Sequence, residues 1–138
     1  MTTLDTIDNK ISQIKKYLAR ATTYEKYSRR EIEDTDVVRD SLERVLFLVT
    51  QGTIDLGDML ISYKGLRKPG NQSEIFQILK EHEIIPRELE EKLISMAGFR
   101  NIIVHGYAEV NYDTVYKILH TNLKDVEEFI EIISQVHS

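Results

Sequence analysis

Arg100, Asn101, His105 and Tyr107 put a guanidinium, an amide, an imidazole and a phenol into one stretch, Phe99-Arg100-Asn101-Ile102-Ile103-Val104-His105-Gly106-Tyr107. A guanidinium can hold phosphate oxygens bidentately, and an imidazole gains and loses its proton near neutral pH. Together they suit phosphoryl transfer without a metal. Cleavage of RNA by its own 2′-hydroxyl needs a base to take that proton, an acid to protonate the leaving oxygen, and a cation to stabilise the phosphorane. One His per chain fills only one of the two proton-transfer roles. A twofold homodimer that brings the two stretches together would fill both.

The element that must position these groups is a helix. Leu89, Leu93, Met96 and Ile103 are spaced by four, three and seven, and Arg100 falls where that apolar stripe asks for another apolar residue. A permanent cation in a buried stripe needs a partner or a ligand to compensate it, so the break in pattern marks a place to look for function. Asn101 and His105, four apart, share a helix face, which suits Asn101 to orienting His105. Arg100 and His105, five apart, do not share a face on a helix that runs straight through. Their joint use requires the helix to end near His105 or a second chain to contribute. The ordinary reading of the same residues is a helix end: Arg or His complementing the dipole, Gly106 terminating the helix, and Tyr107 packing.

The remaining elements read as further helices. Leu4, Ile7, Ile11, Ile14, Leu18 and Ala21 alternate by threes and fours and predict a first helix over about Leu4 to Tyr27. Asp34, Thr35 and Asp36 offer capping oxygens to a long second helix, about Asp36 to Lys64, striped by Val38, Leu42, Val45, Val49, Leu56 and Leu60. Gly52 occupies a stripe position, where another helix can approach closely. The turn Gly65 to Asn71 leads to a short helix with Ile75, Phe76 and Leu79. Pro86 suits a first helical position before Glu88, Glu90 and Glu91, and Asn111 or Asp113 can cap a last helix with Val115, Leu119, Val126, Ile130 and Ile133. No alternation or hairpin dipeptide predicts a strand. The expectation is a single all-α domain over residues 1–138, an up-and-down bundle of four to five helices.

Composition narrows the chemistry. The 138 residues contain no cysteine, which removes disulfides, thiol nucleophiles and cysteine-based zinc sites. His82, His105, His120 and His137 lack metal-ligand spacing, so no metal or other cofactor is expected, and the three outside the motif read as surface residues. Asp55 and Asp58, three apart, could bind a cation but more often face water. Gly65 to Gly70 lacks the order of a phosphate-cradling loop. The longest apolar run, Val45 to Val49, is too short for a bilayer, and the Thr- and Asp-containing start has no signal pattern, so a cytoplasmic protein without a membrane partner is expected. The net charge of −5 argues against general nucleic-acid affinity. The cations from Lys10 to Arg30 support a polyanion partner only weakly, because a basic run is usually a solvated face.

Arg100-Asn101-x-x-x-His105-x-Tyr107 resembles the R-x-x-x-x-H-x-Y signature of the HEPN superfamily, in its HepT-like toxin branch. The similarity extends to Glu43-Arg44-Val45-Leu46 with Ile54-Asp55-Leu56, and to Val115-Tyr116-Lys117-Ile118-Leu119. The resemblance implies a helical-bundle homodimer and metal-independent endoribonuclease activity at the dimer cleft, with Arg100 and His105 catalytic and Asn101 supporting. It also implies a toxin–antitoxin pair whose partner, a minimal nucleotidyltransferase of the MntA type, silences the toxin by transferring AMP to Tyr107. Tyr112 or Tyr116 would be the next acceptor. Two alternatives stand beside this reading: a catalytically silent subunit that binds nucleotide or positions a nucleotidyltransferase, and a structural dimer in which Arg100 pairs with a carboxylate such as Asp55 or Glu43.

Overall fold

The computed structural model describes the backbone of residues 2–105 and 112–136 and the side chains of residues 2–101 and 112–135. Helix α1 (Leu4–Thr22) opens on a capping box, in which Thr6 N–H donates to the Thr3 hydroxyl at 3.2 Å and Thr3 N–H donates to Thr6 Oγ1 at 3.0 Å. It buries Ile7, Ile11, Ile14, Leu18 and Ala21. The expected extension to Tyr27 is instead a 3₁₀ turn, Thr23–Lys26. The hydroxyls of Thr22 and Thr23 donate to the carbonyls of Ala19 and Arg20, competing with the helix ladder where it ends.

Helix α2 (Arg29–Asp34) was not expected, although its signal is present in Ser28-Arg29-Arg30-Glu31. Ser28 accepts from Glu31 N–H at 3.1 Å, and Glu31 Oε1 accepts from Ser28 N–H at 3.0 Å. Helix α3 (Asp36–Lys64) has the expected bounds, but Thr35 at its start makes no side-chain capping bond. By length and composition α3 could cross a membrane, with a mean hydropathy of 1.3 over its most apolar window, yet 61% of that window is buried inside the domain. Its apolarity is that of a central bundle helix. Its buried hydroxyls are satisfied internally, Thr50 donating to Leu46 O at 2.8 Å and Thr53 to Val49 O at 2.7 Å. Gly65, at φ +67°, closes the helix in the left-handed conformation, with Leu66 N–H donating to Ile61 O.

Helix α4 (Gln72–Glu81) is capped by Asn71, whose Oδ1 accepts from Glu74 N–H at 2.9 Å. Helix α5 (Arg87–His105) follows Pro86, which stands one residue before the helix and not at its first position, its carbonyl accepting from Glu90 N–H. The ring lacks an N–H, which costs nothing at either place. The expected last helix is three pieces: α6 (Tyr112–Lys117), a π-helical turn (Ile118–Asn122) and α7 (Leu123–Val136). Asp113 lies in the first turn of α6, not at a cap, and Asn111 lies outside the described residues.

The long helices close into a ring, α1 on α3, α3 on α5, α5 on α7 and α7 back on α1, with α4 laid across α3 and α5. The fold is all-α, with no strand among the described residues. Phe76 of α4 and Phe129 of α7 meet edge to face at 5.9 Å in the core. The close approach expected at Gly52 is present: a Cβ there would stand 2.8 Å from Ile14 Cγ1 on α1.

Candidate active site

Helix α5 turns its stripe of Leu89, Leu93, Met96 and Phe99 into the core, and each is buried. Arg100 continues that face toward α3 and is half-buried there. Its Nε donates to Gln51 Oε1 on α3 at 2.9 Å, and its Nη1 donates to Asn101 Oδ1 at 3.3 Å. Both partners are neutral. Arg100 pairs with no carboxylate among the described residues, so its charge stays available to an anionic ligand. The two carboxylates that could have neutralised it are engaged elsewhere. Asp55 Oδ1 accepts from Gln51 Nε2 at 2.9 Å and its Oδ2 stands 3.7 Å from Lys10, while Glu43 accepts from the Tyr112 hydroxyl at 3.2 Å. The Asp55 and Asp58 pair therefore does not act as a unit, since Asp55 serves Gln51 and Lys10 and Asp58 faces water.

Asn101 is exposed and borders a cleft of about 520 Å³ between the start of α4 and the middle of α5, lined also by Asn71, Ser73, Glu74 and Ile94. Here Asn101 bonds to Arg100, a contact the sequence did not suggest. Helix α5 runs unbroken to His105, which puts positions 100 and 105 about 140° apart around its axis. The side chain of His105, and Gly106 and Tyr107, lie outside the described residues.

Of the other histidines, His82 is exposed, as expected. His120 is not a surface residue: it is half-buried, its ring lies 4.2 Å from that of Tyr116, and its Nε2 is enclosed without a hydrogen-bond partner among the described residues. The π-helical turn carries it inward. His137 lies outside the described residues. The basic run from Lys10 to Arg30 extends from α1 into α2 and is solvated and partly paired, with Arg29 meeting Glu33 and Asp113, and Arg30 meeting Asp34. Tyr112, near the motif, has its phenol pKa pushed up from 10.0 to about 12, first by burial, then by the charge of Glu43 and the hydrogen bond to it.

Sequence reasoning missed Gln51. Its signal was the spacing of an amide and a carboxylate, Gln51 and Asp55, four apart on one helix.

The family described as ribonuclease HepT-like matches residues 7–133. The chain belongs to that family. It is 32% identical to the mRNA nuclease HepT of Shewanella oneidensis over 94% of this chain and 96% of that protein. It is 25% identical to the tRNA nuclease HepT of Aphanizomenon flos-aquae over 93% of this chain and 87% of that one. A solved structure of tri-AMPylated Shewanella oneidensis HEPN toxin in complex with MNT antitoxin superposes with a TM-score of 0.87 at 29% identity, covering 96% of this chain and 98% of that chain. Arg100 and His105 both lie on α5, and Arg100 interrupts the apolar stripe of that helix.

Proposed function

We propose that this HepT-like protein is the toxin of a toxin–antitoxin pair, an endoribonuclease that needs no metal and cuts RNA where two copies bring their Arg100 and His105 residues together. The observation that carries this reading is Arg100: a cation set into the apolar face of α5, held by two amides and paired with no described carboxylate. A phosphate is the ligand that such a group fits best. The structural alternative, Arg100 neutralised by Asp55 or Glu43, has no support, because both carboxylates take other donors.

The chemistry divides among few groups. One His105 takes the proton of a ribose 2′-hydroxyl, whose oxygen attacks the adjacent phosphorus. Arg100 holds the phosphorane oxygens as negative charge collects there. The bond to the 5′ oxygen breaks, and the second His105, protonated, gives that oxygen its proton. The products carry a 2′,3′-cyclic phosphate and a 5′-hydroxyl. The 140° separation of positions 100 and 105 supports a contribution from two chains, as does the need for an acid and a base. Silencing follows when a cognate MntA-like nucleotidyltransferase moves AMP onto the Tyr107 oxygen, which displaces pyrophosphate from the nucleotide. The added phosphate then occupies and neutralises Arg100. The reading takes the protein to be cytoplasmic, where its RNA is.

The test is cleavage of RNA by unmodified protein with and without EDTA. Cleavage persists in chelator, and Arg100→Ala and His105→Ala each lose about a hundredfold to ten-thousandfold in rate while keeping helical content. Strict dependence on added magnesium, or full activity in either variant, contradicts the proposal.

A further inference from the structure

Arg100 reaches outside its own helix to one described residue, Gln51, and Gln51 is itself held by Asp55. A guanidinium only donates hydrogen bonds and a carboxylate only accepts them. An amide between the two satisfies both in a single orientation, Oε1 toward Arg100 and Nε2 toward Asp55, which is the orientation present. Turned over, it would set N–H against N–H at Arg100 and oxygen against oxygen at Asp55. Asp55 thus fixes the amide, and the amide fixes the guanidinium. Lys10 on α1 stands beside the second oxygen of Asp55. The Asp55 side chain is 42% exposed, so its pair with Lys10 adds little to stability. With Nε held by Gln51 and one Nη1 hydrogen by Asn101, Arg100 keeps Nη2 and the second Nη1 hydrogen for a ligand.

We infer that Gln51 is a positioning residue for the phosphate-binding Arg100, and that Asp55 orients it, so that an acidic side chain with no contact to RNA supports RNA cleavage. The inference rests on the reading of Arg100 as a phosphate ligand. Asp55→Asn tests it most sharply, because general electrostatics and the relay give opposite signs. Loss of an anion near a phosphate site should tighten RNA binding and speed the enzyme. An Asn at position 55, however, donates as readily as it accepts, and Gln51 loses its single orientation. The relay therefore expects kcat to fall about tenfold or more in Asp55→Asn and in Gln51→Leu, without a rise in KM.

Cleavage by Asp55→Asn at or above the wild-type rate overturns the relay. A second readout does not depend on activity. The Arg100 Nε–H resonance, identified by its absence in Arg100→Lys, should exchange slowly with solvent in the wild type and faster in Gln51→Leu and Asp55→Asn. Unchanged exchange in Asp55→Asn overturns the relay too. Full cleavage by Arg100→Ala would overturn the phosphate-ligand reading itself and the functional half of this inference, while the exchange data still decide whether Gln51 and Asp55 hold the guanidinium.

Discussion

A cation in an apolar stripe can be read from spacing alone, and Arg100, on that stripe, sits against α3. What spacing could not show was its partner, because Gln51 lies 49 residues away and its spacing from Asp55 points along its own helix, not across to α5. The tyrosines separate by the same local physics. Tyr112 gives its hydroxyl to Glu43, and burial beside that carboxylate makes its phenolate costly, so it is a poor nucleophile for AMP. Co-expression with the cognate nucleotidyltransferase should therefore add AMP to the wild type and not to Tyr107→Phe, which keeps its cleavage. Intact-mass measurement decides this, and added mass persisting in Tyr107→Phe would move the acceptor elsewhere. Tyr112 also gives a pH prediction. Its folded pKa lies above its unfolded one, so its contribution to stability is fully present below pH 10.0 and is lost as pH rises through about 12. Denaturant titrations across that window should show the wild type losing stability more steeply than Tyr112→Phe.

Elements with strong periodicity were legible as helices, α3 at both ends, although α1 stops at Thr22, five residues short of the expected Tyr27, and short or broken elements were not legible. Helix α2 has six residues, too few for a stripe, and only its Ser28 and Glu31 box announces it. The π-helical turn at Ile118–Asn122 left no trace, since its apolar residues keep an ordinary spacing and only tertiary packing sets the extra width. That turn carries His120 inward. The contact of α1 with α3 was foreshadowed by Gly52 on the α3 stripe. Gly52→Ala should destabilise the domain by about 1 to 3 kcal/mol, because the new methyl meets the root of Ile14. A Cβ at Gly98 on α5 would meet none of the described residues within 4 Å, and there the same substitution should stabilise the chain by about 0.5 to 1 kcal/mol through helix propensity. Thermal unfolding of the two variants checks both signs.

At the scale of the whole molecule, the described residues of one chain form a continuous core, whereas the proposed site calls for a second copy. The ring of α1, α3, α5 and α7 packs its described core residues together within one chain, whereas the proposed reaction needs two imidazoles and the motif provides one. The proposed homodimer should rest on apolar surface and persist at moderate salt. Its catalytic consequence is measurable by mixing wild-type and His105→Ala chains, unfolding and refolding them together so that copies exchange, and following RNA cleavage in EDTA against the wild-type fraction. A site that uses both His105 residues is intact only in the pure wild-type dimer, so an equal mixture should keep about a quarter of the wild-type activity, and the curve should follow the square of that fraction. A straight line, with an equal mixture keeping about half, would mean that each chain cuts RNA with its own His105, and would contradict the composite site.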